Sequence, residues 1–322
     1  MSKGIYIVLA CHNGVDFLAE QLDSLLGQTL AELRILALDD RSADATPSVL
    51  AEYAAREPRI RIIDKDPGAP SGARASYAQL LQAALDAGAE YVFCADQDDV
   101  WAPHKLQTML RALQAAEGPQ RSAALVHHDL VVVDAALVTR ASSFWAYMGL
   151  SPAEEANPQR LLSRNEVTGC ALACNRALLE LALPIPERAI MHDWWLALCA
   201  AYCGALRALP ERLVSYRQHG ANAIGAKSYW HGLNPLTNWA DGWRRGNAEF
   251  LATVAQADAL QDALAARLDT ASEAATALAI YTGLPGLSRW QRLRQLHRCG
   301  VWRQRWLLDA VLVLRMLLLE RA

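Results

Sequence analysis

Over the first 116 residues, two apolar periods alternate along the chain. Short runs rich in apolar residues occur at 4–10 (GIYIVLA), 33–40 (LRILALDD), 59–64 (RIRIID) and 90–95 (EYVFCA). Short runs of this kind, bounded by Gly, Asn and Asp, predict buried strands. Between them the apolar residues fall at helical spacing, as at 17, 18, 22, 25 and 26 within 15–28. The segment 42–56 opens on capping residues, 71–88 closes on Gly88, and 103–116 carries Pro103 in its first turn. Strands joined by helices of this length predict a Rossmann-like α/β domain, with a mostly parallel central sheet and helices on both faces. Ligands of such sheets bind beyond the carboxyl ends of the strands. Asp39, Asp40, Asp96, Asp98 and Asp99 all fall at such ends.

Beyond residue 120 the pattern loosens. One long strand or a strand pair is expected over 124–134, then a loop-rich stretch to about 165. A strand followed by a helix is expected over 166–183, a helix over 192–204 closed by Gly204, and mostly extended chain over 205–220. Six of the ten Trp lie at or beyond position 230, where a helical C-terminal region is expected. The division is then 1–225 for the sheet domain and 226–322 for the helical region.

Composition narrows the function. The chain of 322 residues is 53% hydrophobic, so a large core is available, and its formal net charge of −3 argues against a general nucleic-acid binder. No secretory signal is recognisable at the start, and no run of about 18 apolar residues would span a membrane. The seven Cys, an odd number, read as reduced thiols of a cytoplasmic protein. Cys170/Cys174 and Cys199/Cys203 are spaced four apart, but they stand in apolar runs and are better read as small core residues than as a thiolate metal site.

The most informative stretch is YVFCADQDDVWAPHKL, 91–106. A buried strand delivers three carboxylates to one corner, which is unfavourable unless a cation joins them. Asp96 and Asp98, two apart on extended chain, point to one side, where both can reach a hard cation such as Mg²⁺ or Mn²⁺. The plain alternative is an acidic loop capping the next helix.

IVLACHNG, LALDDRS, CADQDDVWAPHKL, VTGCALACNR, HDWWLAL and YRQHGANAIG occur in this order over residues 4–225. In this the chain resembles family 2 glycosyltransferases, most closely the bacterial rhamnosyltransferase-like branch of O-antigen and polysaccharide synthesis. The resemblance implies a GT-A fold, an inverting transfer from a nucleotide-diphospho-sugar, and a need for Mg²⁺ or Mn²⁺. It puts Ala10, Cys11 and Asn13 at the nucleotide base and Asp40, beside Asp39, on the imide of uracil or thymine. Asp96 would bind ribose or metal, with Gln97 beside it, and Asp98 would ligate the metal. Gly72 and Arg74 lie where the family contacts the nucleotide. Arg217 offers a fork for the diphosphate, and His219 would close the metal shell. Asp193 would be the catalytic base, since inversion needs a carboxylate opposite the leaving group; locally it equally suits a helix N-cap. Trp194 and Trp195 suit sugar stacking or core packing. Thr168, Gly169 and Cys170 match the acceptor-side loop, and Asp129 would touch the donor sugar. Arg41 departs from the small residue usual at its position.

From Tyr281 to Ala322 eight Arg face two acids, Asp309 and Glu320, so the formal charge is 8 − 2 = +6. With interleaved Trp and an apolar run at 306–319, this segment suits the inner face of a membrane, a packed helix or a contact between two copies. The donor expected from the branch is dTDP-L-rhamnose, then a UDP-hexose, and the acceptor a growing, lipid-linked glycan. A non-catalytic nucleotide-sugar-binding subunit of the same fold is the alternative from another class. A nucleotidyltransferase fits poorly, because ACHNGVDF lacks a basic phosphate loop.

Overall fold

The computed structural model describes residues 4–154, 156–219, 239–302 and 306–319. Four parallel strands form its first half: β1 (Ile5–Cys11), β2 (Arg34–Asp39), β3 (Ile60–Ile62) and β4 (Tyr91–Asp96), in the order β3-β2-β1-β4. Helices α1 (Val15–Leu26), α2 (Thr46–Arg56) and α3 (Ala73–Asp86) make the crossovers. β1 and β4 are buried over nearly their whole length, as strands covered on both faces must be.

Beyond β4 parallel and antiparallel pairings mix, so the expectation of a mostly parallel sheet describes the first half best. After the short β5 (Val100–Trp101) and α4 (Lys105–Glu117), the chain adds β6 (Ala124–Val133), β7 (Thr139–Ala141), two short helices α5 (Phe144–Met148) and α6 (Pro158–Ser163), β8 (Leu172–Asn175) and β9 (Ala205–Arg217). β8 runs antiparallel between β4 and β6, while β9 runs parallel to β6 and antiparallel to β5. The stretch 124–134 is therefore one long strand. The missing signal was pairing direction, which a buried apolar run does not encode.

Between β8 and β9 stand α7 (Arg176–Ala182) and α8 (His192–Cys203). The C-terminal region is helical as expected: α9 (Trp239–Leu264), α10 (Glu273–Gly283), α11 (Arg289–Cys299) and α12 (Trp306–Leu318). Phe250, Leu260, Tyr281, Leu296 and Leu312 from these helices join one apolar cluster with Val92 and Tyr77 of the sheet half and Leu196 of α8. The helical region thus shares a core with the sheet, and the expected boundary at 225 lies outside the described residues. Among the described residues no helix is long and apolar enough to cross a membrane.

Candidate active site

The carboxyl ends of β1, β2 and β4 meet at one edge of the sheet, and the residues there are tied to each other before any ligand is considered. The Gln97 amide clamps the end of β1 from both sides: the His12 N–H donates to Gln97 Oε1 (2.7 Å) and Gln97 Nε2 donates to the His12 carbonyl (2.9 Å). A Cβ on Gly14 would sit 2.2 Å from that Oε1, so only glycine leaves room for the clamp. Gln97, expected at the nucleotide, is thus occupied in holding the loop that carries Cys11, His12 and Asn13. Cys11 is itself buried, whereas Ala10 is half-buried opposite Asp96.

The paired aspartates after β2 divide their work. Asp39 accepts from the Ser42 N–H (3.0 Å) and hydroxyl (2.5 Å), closing the turn, so helix α2 starts at Thr46 rather than at Ser42. Asp40 accepts from the Gly72 N–H (2.5 Å) and lies 3.2 Å from Lys65 Nζ. Burial alone would raise its pKa, but the Gly72 N–H and the Lys65 ammonium hold the carboxyl below the usual aspartate range. Arg41 adopts φ +60° and its guanidinium gathers the carbonyls of Asp66, Pro67 and Ala69 and the Ser71 hydroxyl. The departure at Arg41 therefore shapes the 66–71 loop over Asp40. Arg74 is half-buried in the first turn of α3 and has no protein partner among the described residues, so it is available to an anion.

At the end of β4, Asp96 and Asp98 are near enough to influence each other through charge. Burial and the charge on Asp98 push Asp96 up to about 6, while the Tyr77 hydroxyl, 2.8 Å from Asp96 Oδ1, works against that rise. His219, just past β9, brings Nε2 to 2.8 Å from Asp98 Oδ2. Asp99 is fully buried; one carboxylate oxygen accepts from the Arg217 N–H (3.1 Å) and Oδ2 has no hydrogen-bond partner among the described residues. Oxygens of Asp96 and Asp99 and the Cys170 sulfur also lie within 4.8 Å of one another. Burial pushes the Cys170 thiol well above its usual value, so it stays protonated and is a poor ligand for a hard cation. Buried carboxylates crowded at one corner, an oxygen of Asp99 left without a partner and an imidazole facing Asp98 offer the hard donors that suit a cation such as Mg²⁺ or Mn²⁺.

Arg217 departs from its expected role. Only 2% exposed, its guanidinium donates to the Asp98 carbonyl (2.7 Å), pairs with Glu20 and the Ala135 carbonyl, and lies over the Phe17 ring. It fixes the 96–99 corner from beneath rather than reaching a diphosphate.

Asp193 lies in the first turn of α8, whose cap is Met191, so the N-cap alternative is set aside. Its carboxylate accepts from the Trp194 N–H (2.7 Å) and from Asn165 Nδ2 (3.1 Å). Burial pushes it up to about 6, the two hydrogen bonds oppose that, and the charge on Asp96 adds to it. Next to it His192 stacks on Tyr77 at 3.8 Å between ring centroids, joining the helix of Asp193 to the tyrosine that touches Asp96. Gly169 presses on the same His192, where a Cβ would come within 3.2 Å of Nε2. Thr168 and Gly169 are half-buried at the surface of this turn, whereas Cys170 points into the core.

Of three further expectations, those for Trp195 and Asp129 change. Trp195 is fully buried and its indole N–H donates to the Ala182 carbonyl (2.8 Å), so it is a core residue and not a sugar platform. Trp194 is half-buried, with its indole N–H on the Leu161 carbonyl (2.7 Å), which leaves part of the ring face available. Asp129 accepts from Leu130 N–H, Trp145 N–H and Arg212 Nε, and so anchors α5 beside a shallow cavity of about 400 Å³ instead of presenting a free carboxylate. Conversely, sequence reasoning missed Tyr77, Asn165, Lys65, Glu20 and Lys105. Tyr77 hid in the apolar stripe of α3, and Glu20 meets Arg217 across 197 positions, a pairing no local signal reveals. Lys105 had a signal: a cation directly before the apolar stripe of Leu106, Met109, Leu110 and Leu113.

A family model described as "Glycosyl transferase family 2" matches residues 6–179, more than half of the chain. The chain belongs to glycosyl transferase family 2. An uncharacterised glycosyltransferase of Nostoc sp. is 28% identical over 226 residues, 68% of this chain and 66% of its own length. A dTDP-rhamnosyl transferase of Shigella flexneri, RfbG, is 28% identical over 105 residues, 33% of this chain and 36% of its own. The chain thus spans 66% of the length of the Nostoc relative and 60% of that of three mycobacterial ones. Among solved structures, S. aureus TarS 1-349 in complex with UDP-GlcNAc superposes with a TM-score of 0.54 at 14% identity, covering 93% of each chain. At that identity the likeness concerns the fold, and the architecture is GT-A.

Proposed function

We propose that the protein is an inverting, metal-dependent glycosyltransferase that moves a sugar from a nucleotide-diphospho-sugar to a hydroxyl of a growing cell-surface glycan. One observation carries this reading: the buried Asp193 is next to His192, whose ring stacks on Tyr77 at 3.8 Å, and the Tyr77 hydroxyl is 2.8 Å from Asp96 Oδ1. A base for an acceptor hydroxyl and a site for a leaving diphosphate thereby adjoin. As the acceptor oxygen bonds to the anomeric carbon, its proton passes to Asp193, while the bond to the diphosphate breaks with the electron pair leaving on the phosphate oxygen. A divalent cation held by Asp96, Asp98 and His219 would supply charge neutralisation of that leaving group. Asp40 and the loop 10–13 take the base, and Arg74 is placed for phosphate. The donor we favour is dTDP-L-rhamnose, supported by the sequence branch and the partial match to a dTDP-rhamnosyl transferase; a UDP-hexose is second.

The test is a panel of dTDP-rhamnose, UDP-glucose, UDP-galactose and GDP-mannose with Mn²⁺, following nucleoside diphosphate release and the anomeric configuration of the product by NMR. Release from one donor with inversion supports the reading. Binding without turnover across a range of acceptors would favour a non-catalytic subunit instead.

We also infer that the C-terminal helices meet an anionic membrane surface. α11 exposes Arg289, Arg294 and Arg298 beside Trp290, which is 67% exposed. α12 exposes Trp306, Val311, Leu314 and Leu318, a stripe without a charge. Basic side chains next to an uncovered apolar stripe complement acidic headgroups over acyl chains. Co-sedimentation with vesicles containing phosphatidylglycerol, lost on Trp306→Ser with Leu314→Ser, is expected. Equal recovery with and without vesicles, or a dimer dissociated by the same changes, would overturn it.

A further inference from the structure

Lys105 is fully buried at the first position of α4. Two features of the position oppose an ammonium there. Burial disfavours the charge, and the N-terminal end of a helix carries partial positive charge. Burial also pushes Lys105 down to about 7, while Cys170, Asp99, Cys94 and Asp96 around it pull it back up. A Met would fill the same space without those penalties. Nζ donates a 2.6 Å hydrogen bond to the Cys170 carbonyl and sits 3.3 Å from the centre of the buried Trp101 ring. It has no other hydrogen-bond partner among the described residues. His128 of β6 faces the same ammonium and is kept neutral by burial and by that charge. The amine therefore ties the start of α4, a few residues after the carboxylate corner, to the 169–171 turn that leads into β8 alongside β4.

We propose that Lys105 is a positioning residue, its buried ammonium holding the 169–171 turn against the Asp96–Asp99 corner and setting the charge that the corner presents to a cation. The inference rests on the reading of that corner as a cation site, and its test separates the two.

Lys105→Met and Lys105→Arg are compared with wild type in hydrogen exchange and in Mn²⁺ titration followed by EPR, with no nucleotide present. In Lys105→Met the peptide covering 166–175 is expected to exchange about tenfold faster while α4 stays protected. Mn²⁺ is expected to bind about threefold tighter or more, because a nearby positive charge has gone. Lys105→Arg keeps the charge, so its Mn²⁺ affinity returns towards wild type; this variant also decides the question if Lys105→Met does not fold. Uniformly faster exchange with unchanged Mn²⁺ affinity would mark Lys105 as a general core residue and overturn the proposal. If the wild-type protein binds no Mn²⁺, the cation reading fails and the exchange at 166–175 alone decides the role of Lys105.

Discussion

Asp193→Asn should make the protein more stable and abolish transfer. The carboxyl is 8% exposed and is raised from the ordinary aspartate value of 3.8 to about 6, chiefly by burial. The folded chain thus binds this proton more tightly than the unfolded chain does. Stability from the site is fully present below pH 3.8 and is lost as pH rises to about 6. At 1.36 kcal/mol per pH unit, the charged form costs the fold about 3 kcal/mol at pH 8. Asn removes that cost but keeps only one acceptor oxygen for two donors, the Trp194 N–H and Asn165 Nδ2, and so loses a hydrogen bond worth about 1 kcal/mol. The net gain is about 2 kcal/mol at pH 8, or about 4 °C in Tm for a chain of this size. At pH 5 the wild-type carboxyl is mostly protonated in the fold and the gain shrinks to about half a kcal/mol. Calorimetric melts at both pH values, with EDTA so that no cation neutralises Asp96, measure the difference. A variant that melts below wild type at pH 8, or gains equally at both, would refute the desolvation argument. Undiminished transfer would refute the role as base.

Gly14→Ala should displace Gln97 from the end of β1, since the new Cβ falls 2.2 Å from Oε1; donor affinity should drop about tenfold and stability by about 1–3 kcal/mol, read by calorimetry and melting. Trp195→Phe should lose about 1–3 kcal/mol by orphaning the Ala182 carbonyl, yet keep kcat per folded molecule, and a selective fall in kcat would restore Trp195 to the sugar site. A thiol reagent on the native protein should titrate about one group, because all seven cysteines are free and only Cys203 is even half-exposed.

The parallel half of the sheet was legible because each strand, turn and crossover helix carries a local period. The carboxylate corner was legible for a different reason: Asp96 and Asp98 stand where an apolar run ends, and charge at that place is conspicuous. β8 was legible as the strand within 166–183, but its antiparallel place beside β4 was not, since a four-residue buried strand pairs by tertiary fit alone. Arg217 and Gln97 were recognised as important but assigned to ligand, because a polar residue near a site looks the same whether it touches nucleotide or neighbouring backbone. Trp195 follows the same rule in reverse: its indole was a candidate platform until its burial against Ala182 was known. Lys105 shows what a stricter reading could recover, for a cation where a helix begins its buried face already asks what holds it there.

The most direct measurement is calorimetric titration of a nucleotide-sugar donor into wild-type protein and Asp98→Ala, each with Mn²⁺, Mg²⁺ or EDTA. Binding of one donor that needs the cation and disappears in Asp98→Ala is the expected result. Binding of equal strength in EDTA, or in Asp98→Ala with Mn²⁺, would contradict a metal-dependent donor site at this corner.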